Sequence, residues 1–218
     1  MFTLQSAGRT DRTSRRGVQE NRFFSHDSCF AIVDGVEGNQ ASDEAAQTAL
    51  DVLWSTRRHS TNFDLRRAIQ TANIEIQAGG KLESFDQRLE TAIAAVEIDL
   101  SDARPEARIA SVGNCSIYLV RGTLIWQLTN CNCRGLGRDL TVDVAVQRVP
   151  LRDRDRLVLC TSGVERELTK VHEHLVEYPY RAPEEIVDSL IEAVRLSGVR
   201  STATTVVVEV FEQLNIAA

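Results

Sequence analysis

The chain has 218 residues, with 25 basic and 31 acidic side chains, a formal charge of -6 and 43% hydrophobic residues. That length buries a sizeable core in one globular domain, 1–218, and the negative balance excludes nucleic-acid or acidic-lipid binding through a global cationic field. No apolar run approaches the roughly 18–20 residues that span a bilayer, and no charged-then-apolar signal opens the chain, so a cytoplasmic protein without membrane attachment is expected.

Taken in chain order, Arg9, Arg12, Arg15 and Arg16 form no polyanion patch, because Asp11 interrupts them and no aromatic residue is interleaved. Phe30 to Val33 is a short apolar run of buried-strand type, closed by Asp34-Gly35. Ser42 is the expected N-cap of a first helix, with Asp43 and Glu44 in its first turn and Ala45, Ala49, Leu50, Leu53 and Trp54 at helical spacing. A second helix is predicted from Asp64 through Ile76, stopping at Gly79-Gly80. The period then becomes strand-like: Thr91 to Leu100, Ala107 to Val112, Ser116 to Val120, Thr123 to Leu128, Thr141 to Val149 and Arg156 to Cys160. Arg121-Gly122 marks a hairpin, and Gly79 to Arg88 and Ser101 to Glu106 read as loops. A third helix starts near Pro183 and ends at Gly198, and Thr204 to Phe211 is a last buried strand.

Helices grouped in sequence, with strands joined mostly by short turns, predict an α+β fold with antiparallel sheets rather than a doubly wound parallel one. Two stacked sheets with helices on their outer faces would bury this many apolar strand positions. The five cysteines, Cys29, Cys115, Cys131, Cys133 and Cys160, are odd in number and form no CxxC pair, so buried reduced thiols are expected. The role of Cys131 and Cys133 is open. His26, His59, His172 and His174 sit among polar residues and read as solvated, whereas Trp54 and Trp126 read as core.

Asp34-Gly35 after a buried strand is a way to present a carboxylate to a metal or substrate, although alone it is an ordinary turn signal. Several further segments, in order, resemble the metal-dependent protein phosphatases of type 2C. The family's Arg-x-x-Asn-Glu-Asp reads Arg16-Gly17-Val18-Gln19-Glu20-Asn21, and its Asp-Gly-x-Gly-Gly strand end falls on Asp34 to Gly38. Val-Gly-Asp-Ser-Arg-x-Tyr-Leu reads Val112-Gly113-Asn114-Cys115-Ser116-Ile117-Tyr118-Leu119. Leu-x-Ser-Asp-Gly-Leu reads Leu159-Cys160-Thr161-Ser162-Gly163-Val164, and the closing Arg-Asp-Asn-x-Thr-Val-Val-Val is similar to Arg200 through Val208. The resemblance runs from about residue 8 to 211. It implies a four-layer α-β-β-α sandwich, two central antiparallel sheets flanked by helices, with the site at one end.

In that family, water bridging two Mg2+ or Mn2+ ions attacks the phosphate of phosphoserine or phosphothreonine while an arginine holds the phosphate oxygens. Carried over by the resemblance, Arg16 is the phosphate-binding arginine, and Glu20, Asp34 and Gly35 are the metal positions that survive. Asn21, Asn114, Ser162 and Ser201 stand where the family has acids. Two divalent ions about 4 Å apart repel by roughly 4 kcal/mol per pair of unit charges at an effective dielectric of 20. Neutral Asn and Ser oxygens offset none of that. Glu165 lies too far past Ser162 to replace it, and Glu37 is a possible additional carboxylate.

The sequence therefore leads to a catalytically inactive pseudophosphatase, a phosphoprotein-binding or regulatory module with no cofactor. The alternative is an active or weakly active serine/threonine phosphatase using Mn2+ or Mg2+. The partner implied by the resemblance is a phosphorylated protein or a serine/threonine kinase pathway component. The oligomeric state is unknown from sequence.

Overall fold

The computed structural model describes residues 1–11, 21–35, 40–59, 63–80, 89–130, 134–168, 181–198 and 202–213. Sheet A comprises β1 (Phe2–Asp11), β10 (Ala203–Glu212), β9 (Arg156–Cys160), β6 (Ser116–Arg121) and β7 (Leu124–Gln127), in the spatial order β1-β10-β9-β6-β7. Sheet B comprises β2 (Asn21–His26), β3 (Cys29–Gly35), β4 (Thr91–Asp99), β5 (Glu106–Val112) and β8 (Gln147–Pro150), in chain order across the sheet. Every pairing is antiparallel. Helices α1 (Gln40–His59) and α2 (Leu65–Gly80) cover the outer face of sheet B. A short helix α3, over 162–168, and α4 (Pro183–Ser197) cover sheet A. The expected four-layer sandwich is what the chain builds.

Strand alternation assigns the layers. On β3, Cys29, Ala31 and Val33 meet the helices, whereas Phe30 and Ile32 join Ala92, Ala94, Val96, Ile117, Leu159, Val206 and Val208 between the sheets. Both faces of these central strands are covered, which explains their nearly continuous apolar sequence. Pro183 opens α4, where a missing N–H costs nothing, and Glu185 accepts the Ala182 N–H at 3.1 Å. Gly198 closes α4 at φ 71°, donating its N–H to Arg195 O.

Several expectations are corrected. Helix α1 begins at Gln40, so Ser42 is a buried helical residue rather than an N-cap. Asp43, placed to favour the helix start, is hydrogen-bonded to Arg22 of β2 at 2.6 Å. Asp64 does cap α2, its carboxylate accepting the Arg67 N–H at 3.2 Å, and Gly79 and Gly80 are the helix's last residues. Of the strand predicted over Thr141 to Val149, only Gln147, Arg148 and Val149 pair in the sheet, as part of β8. Val142, Val144 and Val146 instead pack on the core beneath α1 and α2. Strands β1 and β2 and helix α3 are additional to the sequence expectation. Trp126 is 40% exposed on edge strand β7, and Trp54 is half-buried with the exposed His26 ring 4.7 Å away, so neither tryptophan is a core residue, while His26 is exposed as expected.

Cys29, Cys115 and Cys160 are free and buried, as expected. Burial, reinforced by Glu97, pushes the Cys29 thiol up to about 12, which makes it unreactive. Cys131, Cys133, His172 and His174 lie outside the described residues.

Candidate functional site

One end of the sandwich gathers those matched positions that are described, and strand register is what gathers them. In sheet B, Asn21 pairs with Asp34 and Asp34 with Ala92. Gly35 pairs with Thr91, whose hydroxyl donates to Asp34 O at 3.1 Å. In sheet A, Ser116 pairs with Cys160 and Cys160 with Thr205, while Asp11 ends β1 opposite Ala203. Chain crosses from Val112 of β5 to Ser116 of β6 through Gly113, Asn114 and Cys115 alone. Three residues span little more than 10 Å, so the two sheet ends must meet there. Alternation puts Asp34 on the same face as Phe30 and Ile32, turned toward the other sheet.

The turn that carries Asn114 depends on Gly113. Its φ is +86°, and a Cβ there would come within 2.6 Å of Ala92 Cβ and 2.9 Å of Ala92 Cα. Asn114 itself is exposed at the rim. On the opposing sheet, the Thr161 N–H donates to Thr204 O and the Thr204 N–H donates to Thr161 Oγ1, each at 3.0 Å. This locks the start of α3, where Ser162 is half-buried. Thus Asp34, Gly35, Asn114 and Ser162 share one end. Arg16, Glu20, Glu37 and Ser201 lie outside the described residues, as does the side chain of Asn21.

Nearby carboxylates are engaged elsewhere. Glu165 Oε1 accepts from Ser116 Oγ at 2.8 Å, Tyr118 Oη at 2.8 Å and Gln127 Nε2 at 3.2 Å, which ties α3 to the β6–β7 hairpin and away from Ser162. Burial, then the Glu165 hydrogen bond, hold the Tyr118 hydroxyl well above its usual ionisation range. Asp11 takes a two-pronged contact from Arg195, at 3.0 and 3.1 Å. Glu90, which sequence reasoning did not single out, precedes Thr91 and is buried; it accepts the Gly135 N–H at 2.9 Å and faces Arg138 at 3.6 Å. Only the register shows that it lies near this end, so no sequence signal marks it.

Tested against two divalent cations, the described donors fall short. Asp34 is the one carboxylate among the described matched positions, Asn114 and Ser162 offer neutral oxygens, and no group of three or more His, Cys, Asp or Glu converges among the described residues. A dinuclear site would need further acids from residues outside them.

The comparisons point in one direction. No family model matches the chain. In sequence, it is 24% identical over 242 residues to the serine/threonine phosphatase stp of Listeria monocytogenes, covering 92% of this chain and 94% of that protein. In structure, it resembles the Mycobacterium tuberculosis serine/threonine phosphatase PstP/Ppp with a TM-score of 0.84 at 20% identity, over 96% of this chain and 99% of that one. The catalytic domain of PstP in complex with two manganese ions gives 0.84 at 21% identity, over 97% of this chain and 100% of that one. Stp1 from Staphylococcus aureus gives 0.82 at 17% identity, over 97% and 96% of the two chains. The chain thus has the fold of the PPM-type serine/threonine phosphatases, and its resemblance to that family extends over nearly its whole length.

Proposed function

We propose that this chain acts on phosphoserine and phosphothreonine proteins as a serine/threonine phosphatase with an unusually high demand for Mn2+ or Mg2+. The observation that carries this reading is the shared end of the sandwich, where register assembles Asp34 and Gly35 with Asn114 and Ser162 in a fold whose named relatives are serine/threonine phosphatases. In this reading Arg16 holds the phosphate, and Glu20 and Asp34 are the charged metal ligands. The neutral oxygens at Asn21, Asn114, Ser162 and Ser201 lower metal affinity, because they supply no charge against the cations.

A second reading is favoured by that donor set: a pseudophosphatase that binds phosphorylated proteins without turnover, through Arg16 and without metal. Fewer acids leave the pocket less repulsive to a phosphate dianion. Both readings name a phosphoprotein as partner. Hydrolysis and binding of a phosphothreonine peptide, followed across Mn2+ concentration, decide between them. Turnover that rises only at high Mn2+ and vanishes in Asp34→Ala supports the first. Saturable, metal-independent binding lost in Arg16→Ala, with no turnover at any Mn2+ level, supports the second. Neither binding nor turnover would overturn both.

A further inference from the structure

A groove of about 710 Å³ follows the outer edge of β2 from Arg22 to His26. Strand β2 pairs only with β3, so the N–H and C=O groups on its other side meet no backbone partner among the described residues. One wall is the face of α1 that carries Leu50, Asp51 and Trp54, and the other is β1 from Gly8 to Thr10. The Phe23 ring rests on Gly8, where a Cβ would come within 2.6 Å of it, and stays 37% exposed.

An open strand edge between two walls is matched by an extended polypeptide, whose own N–H and C=O groups continue the ladder. The apolar surfaces of Phe23, Leu50 and Trp54 suit apolar side chains at alternate positions of such a guest. Charge adds a second requirement. Of the charged or titratable groups that line the groove, Arg9 pairs with Asp188, Arg22 with Asp43, and His26 faces Asp27 at 3.0 Å. Exposed Asp51 accepts from Gln47 Nε2 at 2.8 Å and has no cationic partner among the described residues, so it matches a basic residue in the guest.

Register connects the groove to the candidate site. Asn21 pairs with Asp34, so β2 starts at that end and runs roughly 17 Å away from it to His26. A guest strand added antiparallel, the more stable pairing, therefore reaches the Asp34 end with its C-terminal residues. We propose that the groove receives, as an added antiparallel strand, the segment immediately N-terminal to the phosphorylated residue of the protein substrate. Apolar residues of that segment lie toward Phe23 and Trp54, and a basic residue lies toward Asp51. This assignment rests on the phosphoprotein reading of the Asp34 end and holds whether or not the phosphate is hydrolysed there.

Fluorescence anisotropy with the full chain in EDTA-containing buffer tests it. The probes are phosphothreonine peptides that carry a flank of alternating apolar residues and lysine on the N-terminal side, the same flank on the C-terminal side, or glycine and serine on both sides. The N-terminal flank should tighten binding by about tenfold or more over the glycine-serine peptide, the worth of one or two net hydrogen bonds. That gain should be lost in Asp51→Lys and in Phe23→Ser, both at exposed positions, and on N-methylation of alternate flank amides. The glycine-serine peptide should bind both variants as it binds the wild type. Equal binding of the flanked and glycine-serine peptides would overturn the groove assignment and leave the phosphoprotein reading standing. A gain from the C-terminal flank instead, or a gain indifferent to N-methylation, would overturn the antiparallel strand. No binding of any phosphopeptide, in EDTA or in Mn2+, would overturn the phosphoprotein reading and this assignment with it. A dimer of the chain that competes with the flanked peptide and dissociates in Asp51→Lys would give the edge to a second copy and overturn the substrate assignment.

Discussion

Gly113→Ala should destabilise the protein by about 2–5 kcal/mol, and the cost can be divided between two causes. The first is conformational: at φ +86° an L side chain costs about 1–2 kcal/mol. The second is steric. A methyl at this position would lie 2.6 Å from Ala92 Cβ and 2.9 Å from Ala92 Cα, far inside the 3.5–4.0 Å optimum for carbon contacts. Ala92 cannot yield easily, because it is fully buried between the sheets and paired with Asp34. Overpacking of that kind costs about 1–3 kcal/mol. Urea unfolding should show the midpoint falling by about 1 M or more with an unchanged slope. The double variant Ala92→Gly/Gly113→Ala removes the Cβ–Cβ contact but not the backbone strain. A double-mutant cycle should therefore return a favourable coupling of about 1 kcal/mol or more. A midpoint within about 0.3 M of the wild type for Gly113→Ala would refute the argument that this turn requires glycine.

Other perturbations have equally definite outcomes. Glu165→Ala strips Ser116, Tyr118 and Gln127 of a shared acceptor and should cost about 1–3 kcal/mol. In the same variant, near-ultraviolet titration should show Tyr118 ionising at lower pH, since a cause of its upward shift is gone. Burial raises the Glu97 carboxyl above its ordinary range against the opposing pull of Arg108. A carboxyl raised in the fold gives its full stabilisation below the unfolded value and loses it as pH climbs through the folded one. Wild-type stability should therefore fall relative to Glu97→Gln as pH rises from about 4 toward neutrality. Parallel pH profiles of the urea midpoint would contradict this.

The four-layer plan was legible because the central strands are apolar on both faces and the helices keep their caps at Asp64, Pro183 and Gly198. Edge elements were not. Strand β1 pairs on one side only, with β10, and in its Phe2-Thr3-Leu4-Gln5-Ser6 every residue but the exposed Gln5 is partly buried, leaving no alternation to read. Val142, Val144 and Val146 show the converse: strand-like spacing satisfied by packing beneath helices rather than by pairing. Trp126 was misread because β7 is an edge strand and leaves that side chain 40% exposed. At the site, the sequence gathered Asp34, Asn114 and Ser162 only through resemblance, whereas register brings them to one end physically. What sequence could not show was that Glu165, Asp11 and Glu90, described carboxylates toward the same end, are engaged by other partners.

The most direct measurement is Mn2+ titration by calorimetry of the wild type and of Asn114→Asp/Ser162→Asp. If missing negative charge limits cation binding, the wild type binds Mn2+ only weakly, and the double variant gains at least tenfold, about 1.4 kcal/mol. Two manganese ions held at low micromolar concentration by the wild type, with no gain in the variant, would contradict the account.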